Sequence, residues 1–215
     1  MAGDKVLVLG ATGPAGIVLL RELLHRKHTT IAYVVEGTME DTASLSEVIA
    51  GAYIIISLLG PSDMRAPMPY PDYYSSIFPL MREHDVKRIM GMCTPAVAES
   101  RDNFSLLVNI FIQRIFKVFA PRAYQCMQRI ALVFREEAQG LDWTLFRITA
   151  IPGNADAESW AKDRLHSTYV GYVGDKGWKS WTNRSGLARW LVDTVEQGQG
   201  AWIGQLPAIS DLTSP

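Results

Sequence analysis

Cysteine is scarce in this chain, with two among 215 residues. Cys93 falls inside an apolar run and Cys126 in a helical pattern, which gives neither a disulfide framework nor metal-ligand spacing. Charge of one sign is missing as well: 21 Lys and Arg stand against 22 Asp and Glu, for a net charge of -1. With no block of about five like charges, the chain has no field to gather nucleic acid. Long hydrophobic runs are also lacking. The most apolar stretch, 104–119, is interrupted by Asn109, Gln113, Arg114 and Lys117, short of the roughly 20 apolar residues that span a bilayer. No charged leader or cleavage site precedes the first apolar run, so the expected location is cytoplasmic.

The chain is 48% hydrophobic, enough for a sizeable core in one domain over residues 1–215. Short apolar runs at 6–9, 30–35, 53–58, 88–93 and 143–148 have the length of buried parallel strands. Helical patterns at 16–24, 43–49, 73–84 and 124–139 separate them. Such alternation predicts βαβ units in an α/β, doubly wound parallel sheet, with ligands at the carboxyl ends of the strands. After residue 148 the pattern becomes a loop-rich extension expected to build the substrate side. There 167–173 and 178–181, joined by Gly174-Asp175-Lys176-Gly177, read as a hairpin, and a helix follows at about 185–196.

The first strand runs into Gly10-Ala11-Thr12-Gly13-Pro14-Ala15-Gly16 and then a helix. A strand, a glycine-spaced turn and a helix present backbone N–H groups to a phosphate. One glycine allows the bend, another admits the pyrophosphate, and Gly16 lets helix and strand pack closely. Gly10, Thr12, Gly13, Pro14, Ala15 and Gly16 are therefore candidate cofactor-binding residues, for NAD or NADP. Glu36 lies about 20 residues beyond the turn, where an acid bonds a ribose 2′-hydroxyl. Alternatively, Glu36 simply ends a strand.

Several segments together resemble the atypical short-chain dehydrogenases, the NmrA-like or flavin/biliverdin-reductase-B-like NAD(P)-binding proteins. They are the glycine turn, Val35-Glu36-Gly37-Thr38-Met39-Glu40-Asp41, Ile56-Ser57-Leu58-Leu59-Gly60-Pro61, Val86-Lys87-Arg88-Ile89-Met90, Leu141-Asp142-Trp143-Thr144-Leu145-Phe146-Arg147 and Arg184-Ser185-Gly186-Leu187-Ala188. The resemblance implies a Rossmann-like fold and NAD(P)H acting on flavins, quinone-like or tetrapyrrole substrates, with some members only sensing the dinucleotide. It places Thr38 and Met39 beside adenine and Thr94 near the nicotinamide. Leu58, Leu59 and Gly60, at the end of a predicted strand, either lie against the dinucleotide, with Gly60 allowing close approach, or form a plain loop. The chain departs from that pattern around its second strand, where 28–33 runs directly into 34–37 as though a strand and helix were absent. The shortening leaves open whether the adenosine site, and with it the cofactor, has been lost.

Classical short-chain dehydrogenases pair a Tyr with a Lys four residues on, which lowers the phenol pKa. Here Tyr124 is followed by Gln128, so Tyr124 is only a formal candidate for proton transfer, beside Thr94 and His166. Arg147 reads either as a buried ion pair or as a group that binds substrate carboxylate or phosphate. Phe111 belongs to a helical apolar stripe at 104–119, suited to core packing, a lid, a homodimer face or a substrate wall. Met68 and Tyr70 in a proline-rich loop suit a flat aromatic ligand. Three functions compete: an NAD(P)H-dependent oxidoreductase acting on a hydrophobic aromatic or conjugated small molecule, a cofactor-independent isomerase or cyclase, and a non-catalytic dinucleotide sensor or partner-binding protein.

Overall fold

The computed structural model describes residues 5–28, 30–32, 41–60, 67–103, 114, 116–197 and 200–212. Along them run β1 (Val6–Leu9), α1 (Pro14–His25), β2 (Thr30–Ala32), α2 (Thr42–Ile49), β3 (Ile54–Ser57), α3 (Tyr70–Glu83) and β4 (Arg88–Cys93). Then come α4 (Phe116–Phe119), α5 (Pro121–Glu137), β5 (Asp142–Arg147), α6 (Ala157–Asp163), β6 (Thr168–Gly171), α7 (Arg184–Glu196) and β7 (Ala208–Asp211). The seven strands form one sheet in the order β2-β1-β3-β4-β5-β7-β6. All neighbours are parallel except β6 and β7.

Both faces of the sheet are covered, which is why its central strands are apolar without alternation. Leu7, Leu9, Ile55 and Ile89 point to one face, where α2, α3 and α5 bury Ile49, Phe78 and Phe134. Val6, Val8, Ile54, Ile56 and Met90 point to the other, under α1 and α7. Local signals set the helix ends. Pro14 occupies the first turn of α1, where its missing N–H costs nothing. Asp41 caps α2 by accepting from the Ser44 N–H at 3.1 Å. Two helices close with a left-handed residue that is not glycine: Lys27 after α1 and Asp85 after α3, at φ 63° and 55°. The following N–H groups, of His28 and Val86, reach back to the Leu23 and Met81 carbonyls.

The expected shortening bears on the edge of the sheet. A dinucleotide sheet ordinarily places a third strand outside the second before the chain crosses over. Among the described residues β2 (Thr30–Ala32) is the edge strand, and α2 leads on to β3 on the other side of β1. The expected hairpin is not formed. β6 pairs instead with β7, in register Thr168↔Asp211 to Gly171↔Ala208. The 178–181 segment lies beside β7, with the Lys179 N–H on Ser210 Oγ at 3.0 Å and the Asp211 N–H on the Trp181 carbonyl at 3.1 Å.

Candidate functional site

A cleft of about 370 Å³ opens at the carboxyl ends of β1, β3, β4 and β5, where a doubly wound sheet binds ligands. Its floor on the β1 side is the glycine turn, from which Gly10, Gly13, Pro14, Ala15 and Gly16 line the space. Gly10 takes φ +80°, and a Cβ there would come 3.1 Å from the Leu58 carbonyl group. At Gly16 a Cβ would sit 2.3 Å from the Gly10 carbonyl oxygen and 2.6 Å from Ala11 Cα, so only glycine lets α1 start this close to the turn. Gly13 differs: its Cβ would meet nothing nearer than the Gly10 oxygen at 3.5 Å, and its hydrogen atoms keep the cleft open. No side chain caps α1 and no acidic residue sits in its first turn. The helix therefore offers its N-terminal N–H groups and the positive end of its dipole to an anion.

Beyond the turn the cleft is apolar. Leu58 and Gly60 follow β3, and Met92, Cys93 and Thr94 follow on β4. Gly60 makes room for Met92, whose methyl carbon lies 2.8 Å from where a Cβ would be. Phe116, Ala123 and Met127 come from α4 and α5, and Ile148, Thr149 and Ile151 from the segment after β5. Three strand spacings of about 4.8 Å separate β1 from β5, so the far wall stands roughly 14 Å from the glycine turn. Polar side chains are few. Thr94 Oγ1 accepts from the Ala96 N–H at 3.3 Å, which leaves its O–H to donate. Cys93 is fully covered, and burial pushes its thiol up to about 12, so it stays a neutral thiol.

The structure thus brings together Gly10, Gly13, Pro14, Ala15, Gly16, Leu58, Gly60 and Thr94. Thr12 is exposed beside the cleft. Leu59 turns the other way and packs on the α3 and α5 core, as alternation after a strand requires. Met68 lines a separate hollow of about 290 Å³ with Arg122, Cys126 and Arg129. Tyr70 stacks edge-on against Tyr73 at 6.1 Å, packed on the same core. Neither residue lines the main cleft. Tyr124 lies outside the cleft lining, under Lys117 at 5.9 Å from its ring. Gln128, in the place of the classical lysine, donates to the Ala96 carbonyl at 2.8 Å. His166 is exposed beyond the end of α6. Glu36, Thr38, Met39 and Phe111 lie outside the described residues.

Arg147 is a strut. Its guanidinium is fully covered and grips Asp102 through two bonds of 2.6 and 2.7 Å. It also donates to the Leu206 and Val97 carbonyls, while Asp102 accepts from the Glu99 and Val173 N–H groups. Four of its five N–H groups are engaged and its side chain is fully covered, so Arg147 holds the β4 and β5 ends together and is shielded from substrate. A second buried charge, Glu22 on α1, ties that helix to α6. It accepts from Arg164 at 2.7 and 2.9 Å, from Trp160 at 3.0 Å and from Arg26 at 2.9 Å. Burial acts to raise the Glu22 pKa, but the hydrogen bonds from Arg164 and Arg26 outweigh it and hold the carboxyl below its ordinary value.

Met92, Ala123, Met127 and Thr149 are cleft residues that sequence reasoning missed, and of these only Thr149 carried a signal, as a hydroxyl just past a predicted strand. Phe116 also lines the cleft; it belongs to the 104–119 stripe, for which a substrate wall was one reading. Among the described residues no cluster of His, Cys, Asp and Glu is arranged to hold a metal ion. No described helix is long and apolar enough to cross a membrane.

An open, uncapped glycine turn beneath an elongated cleft fits a dinucleotide, and the sequence decides the family: residues 10–197 match the NAD(P)H-binding family. The chain belongs to that family. NAD(P) is accordingly its cofactor, as the glycine turn implied. Comparison with the curated proteins finds no match. Solved structures share the fold at low identity. A short-chain dehydrogenase/reductase from Veillonella parvula in complex with NADP matches at TM-score 0.72 and 15% identity, covering 97% of this chain and 94% of that one. An oxidoreductase from Lactococcus lactis matches at 0.66 and 13%, over 98% and 92%. A candidate NADH-flavin reductase from Streptococcus pneumoniae matches at 0.68 and 16%, over 97% and 100%.

Proposed function

We propose that the protein is a cytoplasmic NAD(P)H-dependent oxidoreductase of one domain, acting on a hydrophobic aromatic or conjugated small molecule. The observation that carries the reading is the uncapped N-terminus of α1, opening through Gly13 onto an apolar cleft of about 370 Å³. In this reading the N–H groups of Ala15 and Gly16 hold the pyrophosphate, and Gly13 lets it approach the backbone. NAD(P)H supplies a hydride when bound.

The remaining groups suit an acceptor that needs no acid from the protein. The described lining residues include neither carboxylate nor imidazole, and the one thiol is held neutral. A conjugated acceptor spreads incoming charge over its ring system and takes its proton from water. Met92, Phe116, Met127, Ile148 and Ile151 give such a ring an apolar bed, and the Met side chains adapt to its outline. Thr94 donates a hydrogen bond to a carbonyl of the substrate or the nicotinamide. A cofactor-independent isomerase would need an acid or base, and the described lining residues supply none.

Calorimetry with NADPH and NADH tests the assignment. Micromolar affinity, about -8 kcal/mol, is expected for the wild-type protein, and none for Gly13→Asp. The new side chain has room to fold but puts a carboxylate where the phosphates go. Undiminished binding by that variant would place the cofactor elsewhere.

A further inference from the structure

The far wall of the cleft is a stretch without regular structure, from Ile148 to the start of α6, and it is suspended by its own carbonyl groups. The Thr182 N–H holds the Ala150 carbonyl at 2.8 Å. One arm of the Arg184 guanidinium holds Ile151 at 3.1 Å and the other holds Gly153. Arg21, on α1, holds Ala155 at 3.3 Å. Gly153 sits at φ +103°, a backbone state other residues rarely adopt, so the turn between the two gripped carbonyls is specific. Arg184 has no carboxylate among its described partners, and its Nε is buried without a hydrogen bond. Burial lowers its pKa. Buried without a carboxylate, the Arg184 charge carries a desolvation cost that its two carbonyl bonds offset only in part. What it does is fix Ile151, whose side chain lines the cleft, and with it Thr149 two residues earlier.

We infer that Arg184 is a positioning residue for the ring-binding end of the cleft, setting the wall around Thr149 and Ile151 against the nicotinamide and its acceptor. The inference rests on the NAD(P)H reading above. It separates the two ends of the site: the glycine turn holds the pyrophosphate without help from Arg184, whereas the nicotinamide end, roughly 14 Å away across the strands, depends on it.

The test compares ligands with and without the nicotinamide. Wild type, Arg184→Met and Arg184→Lys are titrated with NADPH and NADH, and with ADP-ribose and its 2′-phosphate, which keep the pyrophosphate but lack the nicotinamide. Circular dichroism and urea denaturation accompany each titration. Arg184→Met is expected to weaken NAD(P)H about tenfold while leaving the ADP-ribose compounds within twofold. Arg184→Lys, which reaches one carbonyl, is expected to fall between. If Arg184→Met does not fold, the same selective loss in Arg184→Lys decides the matter. Equal loss for both kinds of ligand, or no loss for either, overturns the role of Arg184 while the cofactor site stands. Absence of binding by the wild-type protein overturns the NAD(P)H reading and the inference with it.

Discussion

Replacing Asp102 by Asn changes almost no volume yet takes the charge from a pair that is fully covered on both sides. Four donors face the Asp102 carboxylate: two from Arg147 and the N–H groups of Glu99 and Val173. An amide offers them one oxygen and one NH₂, so at least one donor meets another donor while the Arg147 charge stays buried. Breaking a buried pair from one side costs about 3–5 kcal/mol, a large part of a total stability of about 5–15 kcal/mol. For a chain of this length each kcal/mol moves Tm by about 2–4 °C, so Asp102→Asn should melt roughly 6–20 °C below wild type. Urea denaturation followed by circular dichroism should show a lower midpoint at unchanged slope. The pair Asp102→Leu and Arg147→Met completes the cycle. The double variant should lose less than the sum of the singles by about 1–3 kcal/mol, and it should bind NAD(P)H as wild type does. A loss under about 1 kcal/mol for Asp102→Asn would refute the strut. A stable Arg147→Met without ligand affinity would put Arg147 back on the ligand.

Gly16→Ala should force α1 away from the turn, since the added carbon meets backbone atoms at 2.3 and 2.6 Å. A cost of about 1–3 kcal/mol is expected in urea, with at least tenfold weaker NAD(P)H binding by calorimetry. Glu22, whose pKa is lowered on folding, contributes stability that is present above its unfolded pKa and is lost as pH falls through the folded one. Glu22→Gln should therefore be about 2 kcal/mol less stable at pH 7, and the gap between the urea midpoints should close on acidification below about pH 4.5.

How much of this could be read in advance depends on how local the signal is. β1 and β4 have the bounds expected for them, because both faces of a central strand are buried and its side chains are apolar, Arg88 at the start of β4 excepted. The glycine turn was legible for the same reason: its geometry is decided within seven residues. β7 was not, since only Ile209 is a large apolar residue in it and its pairing is set by β5 and β6, distant in sequence. The hairpin expectation failed there, as turn residues at 174–177 say that the chain bends but not what it next pairs with. The rest of the cleft was hidden similarly. Periodicity marks Met92 and Met127 as buried without telling which wall they share, and the two readings of Arg147 were separable only by seeing Asp102, 45 positions away.

The place of β7 also orders events during synthesis. Chains fold from the N-terminus as they emerge, and β1 to β5 with α1 to α5 can collapse around the nucleotide turn early. β7 comes last in sequence among the described strands, yet it lies between β5 and β6. Until it arrives, β6 has no neighbour on that side and the Leu206 carbonyl is not there to receive Arg147. In the proposed reading, the pyrophosphate end of the cleft is therefore complete along the chain before β7, whereas the β5 side, where Arg147 is held, is completed only with that strand.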